Sequence, residues 1–272
     1  IMKSSLLSKY HPPNLKKQTQ LITPDKANWS YVGFESIELK KGQSINLKSN
    51  KDEICVVVIS GKCTISSTEI SPTEIGQRMC PFERKKPWSV YINNYDHLNI
   101  IANTDLEIAI CRAPGGGVFS GRIISPNEID SEKRGKGCNQ RLVHNILSET
   151  EPANSLLVVE VYTDEGNTSS YPSHKHDVDN FPHETYLEET YYHRFSPNQG
   201  FAFQRVYTDD GSLDESMAVY DKDVVMVPRG YHPVATIAGY NNYYLNVMAG
   251  PIRKWCFTWQ SDHNWINGES YK

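Results

Sequence analysis

Short runs of apolar and β-branched residues recur along the whole chain, separated by turn residues. They limit what this sequence can fold into more than any other feature. In the first half they cover 31–39, 43–47, 54–59, 62–65, 89–92, 97–102 and 106–111. In the second half they cover 156–162, 187–193, 200–207, 216–219, 224–227 and 243–250. Clusters of Gly, Asn, Asp, Ser and Pro lie between them, and Asp209-Asp210-Gly211 is a hairpin signal. No helical periodicity persists over three turns in the first half. Short strands at regular spacing imply an all-β protein, a sandwich or barrel. The pattern occurs twice, so the halves read as tandem copies of one architecture.

The first copy is expected over 1–114. Gly115-Gly116-Gly117 marks a flexible joint. The segment 115–150 carries the charge run Asp130-Ser131-Glu132-Lys133-Arg134 and reads as a solvated linker. A crossing segment that meets a partner subunit is the sharper reading. The second copy is expected over 151–272. Its aromatic tail, Trp255-Cys256-Phe257-Thr258-Trp259 and then His263-Asn264-Trp265, is expected to pack on the barrel wall or close its mouth.

Composition removes several functions. Charged residues make up 22% and hydrophobic residues 38% of 272, with a net charge of −4, an ordinary soluble globular balance. No basic cluster exceeds Lys40-Lys41 or Arg84-Lys85-Lys86, which speaks against a nucleic-acid partner. The longest strongly apolar run, 54–59, is too short to span a bilayer. Lys3 is followed by the polar Tyr10-His11, so no signal peptide fits. The six cysteines form no CxxC pair. They are expected to be reduced thiols in a cytoplasmic protein, without disulfides or a zinc-thiolate site.

The chemistry concentrates in the second half. His174 and His176 are two apart, which on a strand aims both imidazoles at one face. Glu188 and Glu189 follow at the head of another run, and the run 224–227 leads into Pro228-Arg229-Gly230-Tyr231-His232. Three His and one Glu on or beside strands can form a four-ligand set for a divalent metal with open positions. Alternation puts Leu187, Glu189, Tyr191 and His193 on one face. Leu187 and Tyr191 are the better core residues, so Glu189 is favoured over Glu188 as the ligand; a one-residue slip reverses the choice. His193 lies about 13 Å along the strand from Glu189, too far for the same ion, and reads as pocket wall. His183, in a loop, reads equally as a surface residue or part of the pocket mouth. Imidazole and carboxylate donors suit Zn, Mn, Fe, Co or Ni without choosing among them. Such an ion can polarise a carbonyl and stabilise an enediolate. In the first half Asp52-Glu53 precedes a similar run, but no His-x-His stands before it, so that barrel is expected to be structural and metal-free.

These residues resemble the cupin superfamily. The runs Leu187 to Arg194, Gly200 to Thr208 and Val227 to Pro233 are similar to the 5-deoxy-glucuronate isomerase family of bacterial myo-inositol catabolism. That family is itself similar to the 4-deoxy-5-hexosulose-uronate ketol-isomerases of pectin breakdown. The resemblance implies a bicupin, two jelly-roll barrels, with one divalent metal on His174, His176, Glu189 and His232 of the C-terminal barrel. Two departures from the general cupin pattern are the long gap between His176 and Glu189 and the single residue between Gly230 and His232. The resemblance also implies isomerisation of the aldehyde 5-deoxy-glucuronate to the ketone 2-deoxy-5-keto-gluconate, and self-association into a homo-oligomer.

An aldose–ketose isomerase needs a base, and Tyr186, Glu188, His193 and Tyr231 are the candidates. The substrate's carboxylate suits an arginine fork. Arg205 is the first expectation, because an unpaired Arg in a central strand would be costly; Arg229, near His232, is the second. Gln204 and Arg205 face opposite ways on a regular strand, so only one should line the pocket. Two other functions fit less well. A metal-dependent cupin dioxygenase could use the same donors with Fe(II), and would need oxygen where an isomerase does not. A non-enzymatic sugar-binding cupin would tolerate loss of the ligands, whereas this chain presents a full set.

Overall fold

The computed structural model describes residues 5–268. Runs rich in Val, Ile, Tyr and Phe form strands, because β-branched and aromatic side chains pack well on a pleated surface. Two compact units result. One comprises 5–10, 131–144 and 159–268; the other comprises 11–130 and 145–158. Each is discontinuous in sequence, unlike the contiguous blocks expected.

The unit built on 11–130 contains two antiparallel sheets. The larger runs in the order Arg122–Ile124, Ser89–Ile92, Asp52–Ser60, Leu106–Pro114, Gly33–Leu39 and Gln18–Ile22. The smaller runs Ser44–Lys48, His97–Ala102, Cys63–Ser67 and Thr73–Ile75. Alternate residues Ile54, Val56 and Val58 of one sheet share a core with Leu47, Ile65 and Ile100 of the other. Each such buried side chain contributes roughly 1.5–3 kcal/mol of transfer free energy. Glu53 in this unit is fully buried. Its carboxylate accepts hydrogen bonds from the Tyr91 hydroxyl and from the backbone N–H groups of Asn154, Ser155 and Leu156. Those four donors compensate the charge's desolvation, which makes Glu53 a structural carboxylate.

The other unit holds the histidines. Its large sheet runs in the order Leu7–Ser8, Val224–Val227, Glu188–Ser196, Asn241–Ala249, Leu157–Thr163, Arg141–Leu147 and Asp130–Arg134. A four-stranded sheet follows the order Thr168–Ser169, Val234–Thr236, Phe201–Tyr207 and Asp214–Tyr220. A third, two-stranded piece pairs His174–Lys175 with Thr258–Trp259. The hairpin expected at Asp209-Asp210-Gly211 joins Phe201–Tyr207 to Asp214–Tyr220, and Gly211 takes the positive φ of 68° that such a turn needs.

The all-β expectation holds, and the strand-like runs match strands in both units. The segment read as a solvated linker is different: Asp130–Arg134 is an exposed edge strand and Arg141–Leu147 its neighbour. The polar stretch before residue 31, expected to be irregular, contains the strand Gln18–Ile22, and Leu7–Ser8 adds an edge to the sheet by pairing with Val224 and Val225. Lys9 and the backbone of Tyr10 anchor that edge on the buried Asp223. Among the described residues no helix is long and apolar enough to cross a membrane.

Candidate metal centre and its cavity

Three imidazoles meet in the unit that contains the C-terminal half. His174, His176 and His232 each offer a ring nitrogen, and these atoms lie within 4.8 Å of one another. All three residues are buried. Sheet geometry explains the convergence. His174 is held by the short pairing with Trp259, and His176 lies just beyond it on the same face. Glu189 is paired with Val227 and Met248 in the middle of the large sheet. His232 follows the strand Val224–Val227 after a tight turn.

The ten residues between His176 and Leu187 do not disturb this, because the loop is closed at its base. Leu187 N–H donates to His176 O at 2.9 Å, and His176 Nδ1 donates back to Leu187 O at 3.0 Å. Inside the loop the Glu184 carboxylate accepts from the N–H groups of Asp177 and Val178 and pairs with Lys175. Asp177 in turn accepts from Gly230 N–H at 2.8 Å, tying the first histidine segment to the turn before His232.

The ring orientations suit metal ligation. Nδ1 of His176 donates to Leu187 O and Nδ1 of His232 donates to Gly230 O at 2.9 Å. Both therefore turn Nε2 inward as a lone-pair donor. Those Nε2 atoms lie 3.1 and 3.2 Å from one oxygen of Glu189. Only the His176 contact has hydrogen-bond geometry; among the described residues His232 Nε2 and His174 Nδ1 have no hydrogen-bond partner. Orphaned imidazole nitrogens beside a buried carboxylate are the donors a divalent cation satisfies. The residues present therefore fit one.

Electrostatics agree. Burial pushes the Glu189 carboxyl up, but the hydrogen bonds and charge of His176 and His232 outweigh it and hold the group down to about 2. Burial, then His232 and His176, push His174 well below the usual imidazole range, so it stays neutral. Burial also depresses His176, but Glu189 overcomes this and raises it. Proton and metal thus compete for the same nitrogens.

His174, Glu189, Tyr191 and Tyr244 line a cavity of about 30 Å³, room for a water or two. Arg134, Arg141, Ser170 and Trp255 complete its polar side. The Ser170 hydroxyl lies 2.8 Å from the Tyr191 hydroxyl and 3.3 Å from that of Tyr244. Burial raises both phenols, so they remain donors at neutral pH. Phe257 and Trp259 pack on the His174 ring at 4.8 and 5.6 Å. The aromatic tail thus lies across the first ligand strand.

None of the four residues expected as the base lines this cavity. Glu188 occupies the opposite strand face from Glu189, and the Tyr186 hydroxyl donates to it at 3.4 Å. Tyr231 points away from its neighbour His232 and donates to Asp209 at 3.0 Å. His193 is buried with Nε2 2.9 Å from Gln204 and Nδ1 3.2 Å from Asn242. Both its nitrogens are thereby engaged by amides. Arg205 does not face the pocket: it is exposed, forks onto both oxygens of Asp214 at 2.8 and 2.7 Å and stacks over Tyr207. Gln204 is the inward member of that pair and is fully buried. Arg229 is exposed and donates to Ser212. His183 is exposed. The cavity-lining residues that the sequence does not mark as site residues are Arg134, Arg141, Val143, Val161, Ser170, Tyr191, Tyr244, Asn246 and Trp255. For Tyr191 the signal was present, since alternation places it on the Glu189 face. For the arginines it was not, because their segment was read as linker.

Two outcomes follow from this geometry. Burial lowers His193 from an ordinary value of 6.5 to about 4, with Gln204, Asp223 and Asn242 opposing the shift. The unfolded chain therefore binds a proton that the folded chain refuses. Stability should fall as pH drops from 6.5 through about 4, by roughly 3 kcal/mol from this group. Urea unfolding of chelator-treated protein at several pH values checks this: His193→Gln should flatten the dependence by one proton, and an unchanged slope would contradict it. Gly230 has φ of 87°, and a Cβ there would lie 2.4 Å from Tyr207 O. Gly230→Ala should therefore unseat His232 and weaken metal affinity about 10- to 100-fold in competition with a chelating dye; wild-type affinity would show that the turn does not position the ligand.

The comparisons with known proteins place this architecture. The family model described as KduI/IolB matches residues 6–266. A curated 5-deoxy-glucuronate isomerase of Geobacillus kaustophilus is 52% identical over 97% of this chain and 95% of its own length. That of Bacillus subtilis strain 168 is 50% identical over 90% of this chain and 91% of its own. The crystal structure of an IolB-like protein from Salmonella typhimurium superposes with a TM-score of 0.94 at 57% identity, covering 97% of this chain and 99% of that one. An oxalate decarboxylase from Lactobacillus farciminis shares the fold at 13% identity, with a TM-score of 0.67 over 96% of this chain and 90% of that one. The chain belongs to the KduI/IolB family.

Proposed function

We propose that this protein is a metal-dependent ketol-isomerase that converts 5-deoxy-glucuronate to 2-deoxy-5-keto-gluconate in myo-inositol degradation, acting in the cytoplasm. The observation that carries the reading is the convergence of three buried imidazoles with the carboxylate of Glu189, two of these four residues, His174 and Glu189, lining a polar cavity. The relatives called 5-deoxy-glucuronate isomerase, about half identical over nearly the whole chain, support the substrate.

His174, His176, His232 and Glu189 would hold one divalent ion, with Zn, Mn, Fe, Co and Ni all compatible with the donors. When bound, the ion supplies a Lewis acid that polarises a carbonyl and its neighbouring hydroxyl. The protein's part is to present those donors in fixed orientation. Leu187 O and Gly230 O set two imidazoles, and Glu189 supplies the single negative charge. The reaction moves one proton from the hydroxyl-bearing carbon to the aldehyde carbon and one between the two oxygens, with no net loss or gain. Tyr191 is the chain's best-placed donor for the oxygen side of that exchange. Its hydroxyl lines the cavity, stays protonated through burial, and is linked through Ser170 to Tyr244. It replaces Tyr186, Glu188, His193 and Tyr231 in this role. A six-carbon acid exceeds the present cavity, so the segment that carries Trp255 has to move outward for it to enter.

The test is anaerobic turnover of 5-deoxy-glucuronate followed by NMR. Purified enzyme should form the ketone without oxygen. Chelation, or the His174→Ala/His176→Ala double substitution, should cut the rate at least about 1000-fold. Undiminished conversion after both would remove the metal from the mechanism. Absence of conversion by folded, metal-loaded protein would remove the substrate.

A further inference from the structure

We infer that Arg141 anchors the carboxylate of the sugar acid in the cavity beside the histidine cluster. The identity of that acid rests on the isomerase reading; the anchor itself rests on the charge and packing of the cavity. Arg141 opens the strand Arg141–Leu147 and lines the same cavity as His174, Glu189 and Tyr191.

The guanidinium is half-buried and lacks an anionic partner. Its Nη1 donates to two backbone carbonyls, Asn139 O at 2.9 Å and Tyr171 O at 3.2 Å. Among the described residues no carboxylate forms an ion pair with it. Of the other arginines near or expected in the site, Arg229 is exposed and outside the cavity, and the remaining two are engaged by carboxylates. Arg134 pairs with Glu132 at 2.5 Å and lies 5.0 Å over the Trp255 ring. Arg205 is bidentate on Asp214. A guanidinium withdrawn from water and not compensated by a carboxylate is costly unless an anion arrives. Arg141 keeps its remaining N–H donors for a ligand, and its fork matches a carboxylate.

The seat of Arg141 is built. Asn139 is buried; its Nδ2 donates to Tyr171 O at 2.7 Å and its Oδ1 accepts from Thr168 at 3.1 Å. The two carbonyls that hold Nη1 are thereby fixed. Gly135 has φ of 75°, and a Cβ there would lie 2.0 Å from Asn139 O, the carbonyl that holds Nη1, and 2.7 Å from Arg141 Nη1 itself. A glycine at 135 is what allows the guanidinium its position. With His174 and Glu189 of the cluster lining the same cavity, a ligand with a carboxylate and a hydroxylated aldehyde is gripped at both ends. A neutral sugar of the same length engages only one. Arg141 is therefore the residue that selects sugar acids over sugars.

The test uses a ligand that cannot react: the 2-deoxy-hexonate made by reducing the aldehyde of 5-deoxy-glucuronate, beside its uncharged carboxamide. Calorimetric titration of the metal-loaded wild type should show the acid binding about 10- to 100-fold tighter than the amide, the range expected of a charge-assisted bidentate pair. In Arg141→Gln the ratio should fall to near one, with metal content and melting temperature retained. Arg141→Lys should recover part of it, and Gly135→Ala should lower it by displacing the guanidinium. Equal affinities in the wild type, a ratio that survives Arg141→Gln, or no binding of either ligand would overturn the assignment. If Arg141→Gln does not fold, wild-type ratios in both Arg141→Lys and Gly135→Ala would overturn it. Turnover of 5-deoxy-glucuronate by the same wild-type sample separates the two claims. Discrimination that depends on Arg141 without turnover would leave the anchor standing and sink the isomerase.

Discussion

The carboxylate of Glu189, set between two imidazole nitrogens at 3.1 and 3.2 Å, is the contact on which the rest of the site depends. It lies on a central strand buried on both faces, where a lone charge would be unaffordable. The imidazoles beside it cannot turn away, because each spends its Nδ1–H on a backbone carbonyl. A carboxylate facing two lone pairs is stabilised by a cation or by protons shared among the three rings. The sheet places the donors, and their mutual electrostatics then call for an ion.

Strand pairing does the positioning at long range. Glu189 is fixed opposite Val227, and His232 follows that partner strand after Gly230. A single register therefore sets both ligands. His174 sits on a two-residue strand whose only ladder among the described residues is the aromatic tail, and His176 lies just beyond it. That end of the site is held by less structure than the other. It is also where Trp255 reaches the cavity. Glu189 and His232 are thus held by more strand pairing than His174.

Much of this was legible in the sequence because it depends on periods of two. His-x-His on a strand marks His174 and His176 and alternation along 187–193 favours Glu189, while His232 is read from the turn that ends the run 224–227; the strands themselves follow from β-branched runs. The departures have equally physical causes. In Phe201–Tyr207 the large aromatics Phe201 and Phe203 face outward, while the smaller Ala202, Gln204 and Val206 face in. Hydrophobicity therefore pointed to the wrong face, and Arg205 looked buried when it is exposed. Tyr231 is next to His232 in sequence, yet adjacent residues on extended chain point opposite ways, and its hydroxyl reaches Asp209 instead. Arg141 was missed because 131–144 is highly charged. Charge density reads as solvent, yet only Asp130–Arg134 is an exposed edge strand, and Arg141 opens the strand inside it, where its guanidinium lines the cavity. Its role comes from tertiary pairing, which no local pattern encodes.

The central claim is that these four side chains bind the ion that the activity requires. Anomalous diffraction at the metal edge, from crystals of enzyme assayed as active, tests it most directly. The account predicts one peak per chain, about 2.0–2.2 Å from nitrogens of His174, His176 and His232 and from an oxygen of Glu189. A peak at other residues, or fully active crystals without one, would contradict it.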